Sequence, residues 1–226
     1  MSSGPAELLD TEARAKLETV LALLAEERAS VSSVVDERAW QVHVVDSLTG
    51  LEIPDLSRAE RIADIGAGAG FPGLVLAVAL PAAQVDLIES VGRKCEFMRR
   101  AIEAAEIANT NVVNARSEDQ AKGAGHEAYE AVTARAVGRL STLAELASPL
   151  LEPNGVLVAW KGKRDEDEER QLANAAEDLA MHPDQILDVG NRAGSEHRHL
   201  HLIRKKGPTP PNLPRNPGMA KKRPKG

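Results

Sequence analysis

The sequence predicts an α/β fold: a mainly parallel seven-stranded sheet with helices on both faces, preceded by a helical extension. Three observations carry this. From residue 61 onward, short segments rich in Val, Ile, Leu and Ala alternate with longer amphipathic ones, the rhythm of strand–helix units in a sheet covered on both faces. The first unit, RIADIGAGAGFPG (61–73), runs from a strand through a glycine-rich turn into a helix. The 226 residues, 42% apolar and 27% charged, suit one sizeable domain with extensions.

Residues 5–29 are rich in Ala, Leu, Glu and Arg, with Leu9, Ala13, Leu17, Val20, Leu21 and Leu24 at helical spacing. A second helix is expected over 36–48, capped by Asp36 or a nearby serine. These form the helical N-terminal extension, residues 1–50. The sheet domain is expected over 58–206. Its strands are placed at 61–65, 84–89, 111–115, 130–135, 155–161, 185–189 and 198–204. Its helices are placed at 72–80, with Pro72 in the first turn, then 92–108, 141–151 and an acidic surface helix at 165–181. Phe97, Met98, Ala101, Ile102 and Ala105 share one face of the helix over 92–108. Residues 207–226 are basic and Pro-rich, and an extended or disordered tail is expected there.

Composition narrows the function. The longest clean apolar run, Leu74 to Leu80, is too short to span a bilayer, and the first residues lack a secretory pattern. A cytoplasmic protein without membrane attachment is expected. One cysteine excludes a disulfide framework and a Cys-rich zinc site. His197, His199 and His201 alternate on one strand face, but no metal is expected. Residues 204–226 carry +8 and no acid, so with the whole chain at −6 the rest carries −14. So acidic a body does not bind nucleic acid indiscriminately, while the tail offers a contact for RNA phosphates.

Gly68-Ala69-Gly70-Phe71-Pro72-Gly73 matches the G-x-G-x-x-G pattern of dinucleotide sites. Its surroundings argue for another cofactor. Asp64 ends the first strand, where a carboxylate repels pyrophosphate but welcomes an ammonium. Pro72 removes a backbone N–H where a phosphate would want donors. S-adenosylmethionine, with an ammonium, a sulfonium, a ribose and no phosphate, fits better, and Gly66, Gly68 and Gly70 allow close backbone approach. Glu89, 19 residues after Gly70, ends the second strand where an acid can meet ribose hydroxyls, a demand that dinucleotide folds share. Arg116-Ser117-Glu118-Asp119 follows the third strand, towards the adenine edge.

The acceptor is read by elimination. Amine methyltransferases often carry D/N-P-P-Y/F after the fourth strand, and here that place reads Thr133-Ala134-Arg135-Ala136-Val137. Pyrimidine C5 methylation needs a cysteine nucleophile, and Cys95 lies in a helix away from the strand ends. A ring nitrogen with a free lone pair, such as guanine N7, needs neither device. Arg135 ends the fourth strand, at the sheet edge where such folds bind ligands, with a buried ion pair as the alternative role. His43 and Asp46, three apart, share a helix face, either lining a guanine pocket or making a structural hydrogen bond. Five aromatics exclude a broad stacking platform, although one flipped base has Trp40 or Phe71 to stack on.

The chain resembles the bacterial ribosomal RNA small-subunit methyltransferase G family, also called glucose-inhibited division protein B. The resemblance rests on His43-Val44-Val45-Asp46-Ser47-Leu48, on 64–73, on Glu89 to Lys94 with Phe97, and on Arg116-Ser117-Glu118 and Ala134-Arg135-Ala136. Lys161-Gly162, Arg198-His199-Leu200 and Pro214-Arg215-Asn216-Pro217-Gly218 extend it over nearly the whole chain. The chain departs from the family pattern at Ser30-Val31-Ser32 and at Val42, both on the expected substrate side. The resemblance implies a class I S-adenosylmethionine-dependent fold and N7-methylation of one guanine in the decoding region of 16S rRNA. It implies Gly66, Phe71, Ser117, Glu118 and Arg135 at the cofactor, with Arg135 also facing the substrate. The expected partner is 16S rRNA or the small ribosomal subunit, and the enzyme is expected to act as a monomer. Rivals are a methyltransferase of the same fold acting on a protein or small molecule, and a cofactor-binding regulator without turnover.

Overall fold

The computed structural model describes residues 9–27, 32, 34–135, 138–193, 195 and 197–226. Helix α1 (Thr11–Glu26) starts at Asp10, whose carboxylate accepts from the Ala13 N–H at 2.8 Å, a side-chain N-cap. The parts of the expected 5–29 helix at 5–8 and 28–29 lie outside the described residues, as do Ser30, Val31, Ala136 and Val137.

The expected 36–48 helix is not one regular helix. Trp40–Val45 is π-helical, with the Asp46 N–H donating to the Gln41 carbonyl, before the α-turn α2 (Asp46–Leu48) and a 3₁₀ turn Thr49–Glu52. A π-turn widens the helix by one residue and re-aims its side chains, a feature frequent at functional sites. The short α3 (Pro54–Ser57) leads into the sheet.

The sheet domain then alternates β1 (Arg61–Ile65), α4 (Gly73–Ala79), β2 (Gln84–Ile88), α5 (Gly92–Ala104), β3 (Thr110–Val113), α6 (Ser117–Gln120), β4 (Tyr129–Arg135), α7 (Leu140–Ala147), β5 (Leu151–Lys161), α8 (Glu166–Leu179), β6 (Met181–Asp188), α9 (Gly190–Ala193) and β7 (His199–Lys205). The seven strands lie in the order β3-β2-β1-β4-β5-β7-β6. The first five are parallel, and β7 is antiparallel to both β5 and β6. The order reverses between β1 and β4, the switch point at which open α/β sheets bind ligands.

Strand alternation divides the core. Ile62 of β1 faces Val85, Leu74 and the α1 residues Leu17, Val20 and Leu24, all fully buried. Ala63 and Ile65 face Val132, Leu143, Leu172 and Leu179 on the other side. The N-terminal helix therefore shares the core of the sheet domain. Asp165 caps α8, its carboxylate accepting from the N–H groups of Asp167 and Glu168, so the acidic run is a first helical turn favourable to the dipole.

The tail is the largest departure from expectation. It folds back on the domain instead of extending into solvent. Leu213 and Ala220 are buried, Arg215 forks onto Glu145 at 2.6 and 2.5 Å, and a final turn, α10 (Met219–Lys222), lies near the carboxyl ends of the strands.

Candidate functional site

The turn after β1 is held by its own backbone. The N–H groups of Gly66 and Ala67 donate to the Ile88 carbonyl, that of Gly70 to Ala67, and that of Leu74 to Gly70. The Gly68 N–H donates to Glu89 Oε2 at 3.0 Å and the Gly73 N–H to Asp64 Oδ2 at 3.0 Å. With these donors spent and Pro72 lacking one, the start of α4 offers little to a pyrophosphate. A phosphate-free cofactor makes no such demand.

The three glycines of the turn differ in role. Gly66, Gly68 and Gly70 all have positive φ, 64°, 62° and 92°, where an L side chain is strained. A Cβ on Gly70 would stand 2.4 Å from Leu74 Cδ1, so Gly70 serves helix packing. A Cβ on Gly68 would meet only the Gly66 carbonyl oxygen, 3.8 Å away, and otherwise project into open space. Gly73 is a second packing glycine, its Cβ position 2.2 Å from Leu87 Cδ2.

Beside the turn lies a cleft of about 430 Å³, lined by Gly66, Glu89, Ser117, Glu118, Thr142 and, from the tail, Gly218, Ala220, Lys221 and Lys222. That volume suits a small-molecule site. Its acids are ordered: Glu89 also accepts from the Val91 N–H at 2.8 Å, and Glu118 Oε1 accepts from the Gly218 N–H at 2.7 Å. The structure thus gathers Gly66, Glu89, Ser117 and Glu118 in one cleft at the ends of β1, β2 and β3, and the donors and acceptors there fit an uncharged ribose and a base edge.

Asp64 lies outside that lining. It is fully buried, with Oδ1 accepting from the Thr133 hydroxyl and Oδ2 from the Gly73 N–H, both at 3.0 Å. It clamps β1 to β4 and to the start of α4. Burial is the main cause that pushes its carboxyl up to about 7.

A second cluster forms across the turn around Arg135. Its Nη1 donates to the Val42 carbonyl at 2.8 Å and to Asp46 Oδ2 at 3.0 Å, and Nη2 lies 3.2 Å from His43 Nδ1. His43 Nδ1 must accept from this cation, so Nε2 carries the proton and donates to the Val34 carbonyl at 2.9 Å. Burial first, and the Arg135 charge with it, hold His43 below its ordinary value. Its ring stacks on Phe71 with centroids 4.5 Å apart, and Arg135 Cζ lies 5.8 Å from the Phe71 centroid. Asp46 is also paired with Arg198, Nε to Oδ1 at 2.8 Å, although that N–H is not aimed at the oxygen. His43 and Asp46, expected either to line a guanine pocket or to make structural hydrogen bonds, hold Arg135 and, through His43 Nε2, the N-terminal segment. A guanidinium has five N–H groups; three of Arg135's are used, and its side chain keeps 12% exposure.

Three other sequence candidates are tied down. Lys161 Nζ donates to the Gly138 carbonyl and pairs with Glu168. Trp40 carries Arg14 over its ring at 4.6 Å. Cys95 is buried, its thiol donating to the Glu89 carbonyl and pushed up by burial. Thr133 and the tail residues were missed from sequence. Thr133 is signalled only by its place opposite Asp64 in the β1–β4 register.

A family model for rRNA small subunit methyltransferase G matches residues 15–200. The chain belongs to this family. Relatives named ribosomal RNA small subunit methyltransferase G include one from Rubrobacter xylanophilus, 42% identical over 80% of this chain and 71% of the relative. Another, from Moorella thermoacetica, is 33% identical over 96% and 92%. Among solved structures, the Methanococcus jannaschii fibrillarin pre-rRNA processing protein aligns with a TM-score of 0.56 at 14% identity, over 72% of this chain and 74% of that one. A SAM-dependent methyltransferase from Aquifex aeolicus aligns at 0.55 and 16%, over 75% and 94%. These two likenesses show the fold alone, the class I methyltransferase sheet. In this methyltransferase G chain the matched span takes in the glycine turn, Glu89, Glu118 and the Arg135 cluster, and ends within β7.

Proposed function

We propose that the chain transfers a methyl group from S-adenosylmethionine to N7 of one guanine in 16S rRNA. The observation that carries this reading is the family match, which spans both the cleft and the Arg135 cluster. Glu89 would take the ribose hydroxyls, Ser117 and Glu118 the adenine side, and Gly66 and Gly68 the close backbone approach. When bound, S-adenosylmethionine supplies an electrophilic methyl on its sulfonium.

The chain's own task is positioning. Guanine N7 carries a lone pair and no proton, so no base is required, which agrees with a His43 whose two nitrogens are both engaged. Holding the base against the methyl supplies most of the rate. Arg135 is the residue for that work: Asp46, His43 and the Val42 carbonyl fix its plane, leaving two N–H groups for an acceptor such as guanine O6. Phe71 and His43 support its face. His43 and Asp46 act through Arg135 and are positioning residues. Among the described residues no helix is long and apolar enough to cross a membrane, and the enzyme works in the aqueous phase where rRNA is found, as a monomer.

The test is methyl transfer from labelled S-adenosylmethionine to small subunits that lack the modification, with the product nucleoside identified. Labelled 7-methylguanosine supports the reading. Label on another nucleoside, or on protein alone, overturns it.

A further inference from the structure

The basic tail carries a second role that its composition does not reveal. Of the five cations in residues 207–226, Arg215 and Lys225 pair with acids of the body, and these pairs fix the tail's path. The path crosses the cleft. Arg215 anchors one end through a two-bond fork to Glu145, which is 3% exposed; bidentate pairs with a buried carboxylate are strong. Lys225 fastens the other end to Asp178 at 3.1 Å, a carboxylate 71% exposed, and pairs so exposed hold weakly. Between them, the Gly218 N–H donates to Glu118 Oε1, and the Ala220 carbonyl accepts from the Thr142 hydroxyl at 3.3 Å. Ala220, Lys221 and Lys222 form the cleft wall facing Gly66 and Glu89. Gly218 sits at φ +83° with no atom near its Cβ position, the freedom that a hinge requires.

We propose that Gly218–Lys222 is a strap that closes the cofactor cleft, hinged beyond the Arg215 anchor and latched weakly at Lys225, and that it retains the cofactor while holding the Glu118 carboxylate in place. The inference rests on reading the cleft as the S-adenosylmethionine site. Its holding points are unequal: a strong anchor at Arg215, which also donates from Nη2 to the Arg223 carbonyl at 2.8 Å, two modest hydrogen bonds and a weak latch at Lys225. Leu213 and Arg215, which pack the tail, lie before the hinge, so opening uncovers Ala220 alone among the tail's buried residues. Lys221 and Lys222 contribute their aliphatic stems as wall and keep their ammonium groups in solvent.

The experiment compares three chains: the full chain, a chain ending at Pro217, and the K221S/K222S variant, whose altered positions are exposed. Calorimetry gives the affinity for S-adenosylhomocysteine, and stopped-flow displacement gives its release rate. The strap predicts release about tenfold faster, with affinity weakened by a similar factor, in the chain ending at Pro217. It predicts release about threefold faster in K221S/K222S. Without ligand, K221S/K222S is expected to melt with the full chain, and the shortened chain, which loses buried Ala220, slightly below it. Equal release and affinity in all three chains overturn the strap and leave the reading of the cleft intact. Should the shortened chain not fold, the lysine variant decides. A full chain that binds no S-adenosylhomocysteine overturns the cofactor reading and the strap together.

Discussion

Arg135 and Asp46 are 89 residues apart in sequence, yet Nη1 and Oδ2 meet at 3.0 Å. The pair joins the end of a central strand to the π-helical N-terminal segment, and both side chains are largely buried, at 12% and 2% exposure. Arg135→Ala leaves the Asp46 carboxylate with Arg198 alone, and a cost of about 3 kcal/mol in unfolding free energy is expected. Methyl transfer is expected to fall by about 100-fold through lost positioning. Arg135→Lys should recover part of the stability and little of the transfer, because an ammonium cannot reproduce the planar fork. Urea unfolding and single-turnover methylation measure the two effects separately.

The glycine turn yields a paired test. Gly68→Ala forces a left-handed conformation costing about 1 kcal/mol, and its methyl group enters open space. The chain should fold and lose cofactor affinity. Gly70→Ala adds a methyl 2.4 Å from Leu74, so it should lose about 3 kcal/mol of stability. If Gly68→Ala binds S-adenosylhomocysteine as the parent does, the turn does not approach the cofactor there.

Asp64 gives the fold a pH signature. Its carboxyl is pushed up to about 7 by burial, from 3.8. Between those values the folded chain keeps a proton that the unfolded chain releases. The contribution of this group is therefore present near pH 4 and is lost as the pH rises through about 7. In Asp64→Asn the amide oxygen accepts from the Gly73 N–H and the amide nitrogen donates to the Thr133 hydroxyl, so the clamp survives without its titration. Denaturant unfolding of parent and variant from about pH 5 to 8 should show a slope in the parent that the variant lacks.

Cys95 should be dispensable for chemistry. It is buried in α5 with its thiol on the Glu89 carbonyl, and burial pushes its pKa up, the reverse of an activated nucleophile. Cys95→Ala is expected to cost about 1 kcal/mol for the lost contact and to leave single-turnover transfer within about twofold. A loss of transfer exceeding the loss of folded protein would implicate the thiol.

Much of the fold was legible because its strands announce themselves. β1 at Arg61–Ile65 falls where the pattern of RIADI puts it, and β2 and β4 differ from expectation by one residue at one end. Burial on both faces makes them rich in apolar residues, broken only at single positions such as Asp64, Asp86 and Thr133. Glu89 could be found by counting from the glycines, and the region of Glu118 by its place after the third strand; both residues line the cleft. Asp64 lies at the end of β1 where the pattern puts it, but the contacts of its carboxylate were not legible. Whether a carboxylate at a strand end faces a ligand or the next helix depends on packing, and Gly73 and Thr133 took both its oxygens. The π-turn over Trp40–Val45 was not legible, since its apolar spacing reads as an ordinary helix. Nor was the folded tail: Pro-rich basic sequence has no local signal for docking, and its order comes from Glu145, Glu118 and Asp178, far away in the chain.

The central claim is that one guanine of 16S rRNA receives its methyl group at N7 in a site organised by Arg135. Its most direct test is single-turnover transfer from methyl-labelled S-adenosylmethionine to unmodified small subunits and to free 16S rRNA, with nucleoside analysis of the product. We expect stoichiometric 7-methylguanosine at one position, lost in Arg135→Ala while S-adenosylhomocysteine binding persists. Cofactor binding without label in RNA, or label that survives in Arg135→Ala at the parent rate, would contradict it.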